Sequence, residues 1–165
     1  MRVIATAIFC LAVMAGPLTA QAVKPGTALF MGLHWIDLST EGQMNGTRAD
    51  ESARLAMVTQ QVEDELTARG FSLTNVDPEK VSGVADPGDC NGCDTHLARD
   101  QGLDYAISGQ VQKVSNLILA LRLSIRDAES GKAVAAGTVD IRGNTDESWS
   151  RGFTYLFKNV LFRTE

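Results

Sequence analysis

The chain holds little of what most catalytic centres are made from. Its 165 residues include two histidines, three cysteines and four prolines, and aromatic residues make up 6%. Two histidines cannot supply a three-histidine metal centre. No Gly-x-Ser-x-Gly elbow surrounds Ser108, Ser115, Ser124 or Ser148, which argues against a serine hydrolase of that design. A glycine-rich phosphate loop is also missing. Acids outnumber bases by 20 to 15, for a net charge of −5. With no basic patch, nucleic acid is excluded as a partner, and an anionic membrane surface is disfavoured. There is no internal repeat and no low-complexity tract.

One long apolar run is present, at the start. Arg2 precedes an uncharged stretch from Val3 to Ala15, Gly16 and Pro17 break it, and Ala20-Gln21-Ala22 places small residues where signal peptidase reads them. The run is well short of the ~20 residues that span a bilayer. Residues 1–22 are therefore expected to be a cleaved signal peptide, and 23–165 a single domain that is not inserted in the membrane. Cys10 lies inside the apolar run rather than at its end, so it is expected to leave with the signal. Loss of Arg2 takes the net charge from −5 to −6. Export places the domain in the periplasm.

Local patterns predict the elements. Ala28 to Ile36 is apolar on both faces, as in a buried strand, and 39–47 has loop composition. Leu55, Val58, Val62 and Leu66 share one face of a helix over 48–69, which Gly70 ends. Residues 71–74 alternate as a short strand, and 75–92 is irregular. Asp94 is expected to cap a short helix that ends at Gly102. Tyr105, Ile107, Gly109 and Val111 alternate on the next strand. Leu117, Leu119, Leu121, Leu123 and Ile125 form the buried face of another, with Arg122, Ser124 and Arg126 opposite. A third strand runs over 132–142. Short turns make these three an antiparallel meander. A last helix starts near Asn144, with Glu147 at capping-box spacing and a stripe of Trp149, Phe153, Leu156, Phe157 and Val160. The fold class is α+β (mixed α/β), in the order strand, helix, strand, helix, three strands, helix.

Cys90 and Cys93 are the cysteines that remain after cleavage. In an oxidising compartment a disulfide between them is expected, stapling the irregular loop. Two alternatives stay open. One is a thiol-exchange site, against which Asp86, Asp89 and Asp94 work by raising the thiol pKa. The other is a metal site of Cys90, Cys93 and His96, which lacks a clear fourth ligand. Covalent haem attachment is excluded because Asp94, not histidine, follows Cys93. His34 is expected to be a satisfied core or edge residue. The segment 142–149 offers Arg142, Asp146 and Trp149 as candidate partner-binding anchors, against the alternative of a plain strand-to-helix turn.

The stretch from Ala98 to Val111 and the turn Asp127-Ala128-Glu129-Ser130-Gly131-Lys132 resemble the N-terminal domain of the translocation protein TolB. They also resemble related periplasmic domains of curli-secretion and penicillin-binding-protein activator lipoproteins. Cys90-Asn91-Gly92-Cys93, Val111 to Leu119 and Ile141 to Trp149 are similar to an uncharacterised family of exported bacterial proteins. That resemblance implies a setting near periplasmic quinoprotein alcohol oxidation, and transfers no residue role. The expected function is a non-enzymatic accessory or binding module, without a cofactor, that docks on an envelope protein or small ligand. The alternative is a metal- or thiol-active protein centred on Cys90, Cys93 and His96.

Overall fold

The computed structural model describes residues 23–163 apart from 82 and 85. The expected signal peptide lies outside the described residues. The elements are β1 (Thr27–Asp37), α1 (Thr40–Asn45), α2 (Ala49–Ala68), β2 (Ser72–Asn75), α3 (Cys93–Asp100), β3 (Tyr105–Ser115), β4 (Ile118–Asp127), β5 (Ala133–Arg142) and α4 (Asp146–Leu156). A π-helical turn, Phe157–Leu161, extends α4. No helix among these residues is long and apolar enough to cross a membrane.

The sheet runs β2-β1-β3-β4-β5. The expected meander of β3, β4 and β5 is antiparallel. β1 pairs parallel to both β2 and β3, which makes the sheet mixed. Its central position explains its sequence. A strand with partners on both edges and helices over both faces has no side facing water, and Ala28 to Met31 are 3% exposed or less. A register shift between Phe30 and Leu33 falls at Gly32, whose φ of +82° suits a residue without Cβ.

One face of the sheet carries the main core. Val58, Val62 and Leu66 of α2 and Trp149, Phe153 and Leu156 of α4 pack on Phe30, Leu33, Ile107, Val111, Leu121 and Leu123. Leu119, Leu121, Leu123 and Ile125 of β4 are fully buried, each contributing ~1.5–3 kcal/mol of burial before entropy. Leu117 departs from the expected stripe: it sits in the turn before β4, 70% exposed. Val160 likewise leaves the α4 stripe, because the π-helical turn shifts its phase and leaves it at the surface. On the other face, α3 places Ala98 against Leu29, Met31, Ala106 and Ala128 in a smaller cluster.

Both expected caps are displaced, by two residues in α3 (Gly92 for Asp94) and by one in α4 (Thr145 for Asn144). Helix α3 starts at Cys93 behind left-handed Gly92, and Asp94 is buried. Its carboxylate accepts from Arg126 Nη1 at 2.8 and 3.1 Å, which is the carboxylate partner that a covered Arg126 requires. In α4 the cap is Thr145, whose hydroxyl accepts from the Ser148 amide. Asn144 and Glu147 form no capping box, because Asn144 is engaged elsewhere. Helix α1 falls where the composition reads as loop. Ser39 caps it by accepting from the Gly42 amide.

Candidate partner-docking site

The site lies at the end of the sheet where β1 stops and β3 turns into β4. The Leu38 amide donates to the Lys113 carbonyl at 2.8 Å, and the Gly143 amide donates to the Leu117 carbonyl at 3.0 Å. These two bonds hold the ends of β1, β3, β4 and β5 together. The β3–β4 register shifts between Lys113 and Ser115, so Val114 is the extra residue and turns outward. Leu38, Val114, Leu117 and Ile118 are all exposed, at 41–70%. They are four of the nine large hydrophobic residues left exposed on the described chain, and a group of this kind marks an interaction surface more often than scattered ones do. Arg142 lies beside them, opposite Ile118 in the ladder, and is exposed.

Beneath this tip is a buried polar network. Lys113, 1% exposed, donates to Glu51 Oε1 at 2.7 Å and to Glu41 Oε2 at 3.0 Å, and lies 3.5 Å from Asp37 Oδ2. Glu51 also accepts from Asn144 Nδ2 at 2.7 Å. Asn144 Oδ1 in turn accepts from Arg54 Nη1 and Trp149 Nε1. Arg54 Nε reaches Asp146 at 2.8 Å, and its guanidinium lies 5.5 Å from the centre of the Trp149 ring. Trp149 stacks on Trp35 with ring centres 5.4 Å apart.

The ionisation of the network follows from these contacts. Burial works to raise the Asp37 pKa, but the Ser39 hydroxyl and amide and the Lys113 charge more than offset it, holding the carboxyl below its usual range. The hydrogen bond from Lys113, joined by one from Asn116, holds Glu41 down. Lys113 is raised: burial disfavours its charge, yet hydrogen bonds to Glu51 and Glu41 prevail. Asp37, Glu41 and Lys113 are thus each shifted toward the charged form.

The three expected anchors are not equivalent. Trp149 is fully buried and part of the core, so its ring offers no contact surface. Asp146 is exposed but tied to Arg54. Arg142 is exposed and borders the apolar tip. The network itself carried a sequence signal that the stripe reading passed over. Lys113 continues the alternation of Tyr105, Ile107, Gly109 and Val111. Glu51 continues the i, i+4 series of Leu55, Val58, Val62 and Leu66 one turn earlier. A charge in phase with an apolar stripe is a buried charge that needs a partner.

The cysteines lie on the opposite face. Cys90 and Cys93 form a disulfide. It closes a turn in which Asn91 and Gly92 both have positive φ. The adjoining Gly88 packs so closely on β3 that a Cβ there would lie 2.7 Å from Ser108 Oγ, and the Gly88 amide donates to the Asp86 carboxylate. The bridge thus fixes a loop already seated on the sheet. With both sulfurs joined, neither is a thiolate ligand, and His96 is left as the lone candidate of the trio; a Cys90, Cys93, His96 metal site belongs only to a reduced form. No grouping of His, Cys, Asp and Glu suited to a metal ion occurs among the described residues. His34 is half-buried, with Nε2 3.4 Å from the Met31 carbonyl.

Solved structures share the fold. The lipoprotein GNA1162 from Neisseria meningitidis is 14% identical, matches 79% of this chain and 93% of its own, and superposes with a TM-score of 0.51. The PelC dodecamer from Paraburkholderia phytofirmans is 10% identical, with 90% and 96% covered and a TM-score of 0.50. The LpoB C-terminal domain from Salmonella enterica is 17% identical, with 72% and 83% covered and a looser TM-score of 0.44. For GNA1162 and PelC, at these identities, the likeness is one of fold alone, and the narrower resemblance to the TolB N-terminal domain remains an expectation of the sequence. No curated protein matches the chain. The match that names a family spans most of it: this chain belongs to the family described as protein of unknown function (DUF2380), whose model matches residues 26–161.

Proposed function

We propose that the chain is an exported, non-enzymatic docking module of the bacterial envelope, and that it receives another envelope protein on the apolar tip formed by Leu38, Val114, Leu117 and Ile118. The observation that carries this reading is the contrast between tip and base. Four exposed aliphatic side chains are held in place by main-chain hydrogen bonds, above charged groups that are already paired with one another. Such a base gives the tip rigidity, which lowers the entropy lost on binding. The signal peptide expected over 1–22 supports export, and GNA1162, of the same fold, is a lipoprotein. The periplasm is the compartment that agrees with the Cys90–Cys93 disulfide. A connection with quinoprotein alcohol oxidation rests on the sequence resemblance alone.

The test is photo-crosslinking from position 114 in cells, in the parent and in Leu117→Asp and Ile118→Asp chains. Both residues are exposed, so the variants are expected to melt like the parent while losing the crosslinked partner. A partner retained at full yield by both variants would remove the tip from the account. Turnover of a defined substrate by the purified chain would remove the non-enzymatic reading.

A further inference from the structure

We infer that the edge of β1 beyond the end of β2 is a strand-addition site, which takes an extended, basic and apolar segment of another protein as a further strand of the sheet. Strand β2 pairs with Thr27 to Phe30 only, so the remainder of β1 has a neighbour on the β3 side alone. The direction of its main-chain groups follows from one bond. The Leu38 amide donates to the Lys113 carbonyl, so by alternation Ile36 and His34 also point at β3, and Leu33, Trp35 and Asp37 point away from it. Before the bulge the parity is opposite: Phe30 faces β2 and accepts from the Val76 amide. The bulge at Gly32 therefore turns the amides and carbonyls of Leu33, Trp35 and Asp37 toward an edge where no partner for them occurs among the described residues. Gly32 to Ile36 contains no proline or lysine, the residues that usually blunt such an edge.

The edge opens where β2 leaves it. Phe30, Met31, Gly32, Val76, Pro78 and Val81 line an open groove of about 260 Å³ there, and a Cβ built on Gly32 would meet nothing within 4 Å. The groove takes an aliphatic side chain of the added strand, while the strand's main chain bonds to Leu33 and Trp35. Glu63 of α2 is the charged wall of the groove. It is half-buried, and its neighbours along the helix, Thr59, Gln60, Leu66 and Thr67, carry no positive charge. Asp77 adds a second carboxylate between the lining residues Val76 and Pro78, and Lys80 is the one base of the turn that follows. This charge calls for a lysine or arginine beside the aliphatic residue. It disfavours a second copy of a chain whose net charge is −5. The groove lies on the β2 side of β1, and Val114, Leu117 and Ile118 of the apolar tip lie beyond β3, so either proposal stands or falls without the other.

A library of random peptides about seven residues long, an ordinary strand length, tests the inference when selected on the purified protein and remeasured by fluorescence anisotropy. Binders are expected to set an aliphatic residue beside lysine or arginine. Methylating their backbone nitrogens at alternate positions is expected to abolish binding in one register and spare it in the other, as pairing through one edge requires. Glu63→Lys is expected to weaken binding about tenfold with a melting curve like the parent's, while Leu117→Asp binds as the parent does. In hydrogen exchange, the Leu33, Trp35 and Asp37 amides are expected to exchange faster than that of Leu38 in the free protein, and to slow when peptide is bound. A library that yields no binder would overturn the inference. So would binding that survives methylation in both registers, binding unchanged in Glu63→Lys, or binding lost in Leu117→Asp, which would place the contact at the tip. Protection of the three amides by dimerisation of the protein itself, seen by sedimentation velocity, would give the edge to a second copy and overturn the choice of occupant.

Discussion

Lys113 Nζ lies 2.7 Å from Glu51 Oε1, and both side chains are sealed from water. The pair links β3 to the first turn of α2, elements 62 positions apart. Removing one member strands the other. Lys113→Ala leaves Asp37, Glu41 and Glu51 gathered around an empty centre and is expected to cost about 3–5 kcal/mol. Glu41→Ala, at a carboxylate that reaches solvent, is expected to cost far less. Urea unfolding of the two variants checks the order. Equal losses would show that the cluster does not act through its buried member.

Acid and alkali are expected to loosen the fold from opposite ends. Asp37 and Glu41 titrate below their usual 3.8 and 4.5. Asp104, through hydrogen bonds from the Thr27 amide and hydroxyl, and Asp127, through those of Ser130, are also held below 3.8. A depressed folded pKa gives stability that is complete above the unfolded value and is lost as pH falls through the folded one. Lys113 is raised above 10.5, so its contribution is complete below that value and is lost as pH rises through the folded pKa. Melting temperature should be level from about pH 5.5 to 9.5 and fall on both sides. In Lys113→Met the alkaline fall attributable to this residue should vanish.

The disulfide is expected to act as a local staple. Its loop is short, so Cys90→Ser/Cys93→Ser should lose roughly 2 kcal/mol on the chain-entropy account. Intact mass of the native protein should be lower by two hydrogens than that of the reduced chain. Free thiols with stoichiometric metal in the native protein would instead favour the site of Cys90, Cys93 and His96.

Gly42 should resist replacement despite lying in a helix. A Cβ at this position would fall on the Asp37 carboxylate. Alanine normally improves a helix interior by roughly 0.5–1 kcal/mol over glycine. Gly42→Ala is nevertheless expected to destabilise, by displacing Asp37 from Lys113, and a melting curve gives the sign directly.

The parts of the fold that follow a simple period were legible in the sequence. Leu119 to Ile125 alternate because β4 has one face on the core, and Val58, Val62 and Leu66 recur because α2 buries one stripe. The parallel pairing of β1 was not legible, because a doubly buried strand reads the same whichever way its neighbours run. Helix α1 was missed because Ser39, Gly42 and Asn45 carry loop chemistry, while its stability comes from the Ser39 cap and the Glu41–Lys113 contact. Asn144 and Asp94 have good capping chemistry, yet long-range partners claim both side chains. At the candidate site, the sequence reading named Arg142 as a candidate anchor and assigned Leu117 to the core. Only the bulge at Val114 and the turn before β4 reveal that the apolar run begins outside it.

The place of β1 in the sheet has a consequence for how the chain matures. The first strand synthesised is clasped on both sides by strands made much later, β2 after residue 71 and β3 after residue 104. A nascent chain therefore carries this apolar strand without its full set of hydrogen-bonding neighbours until more than half its length has emerged. During that interval its apolar side chains and unpaired main-chain groups are open to other partners.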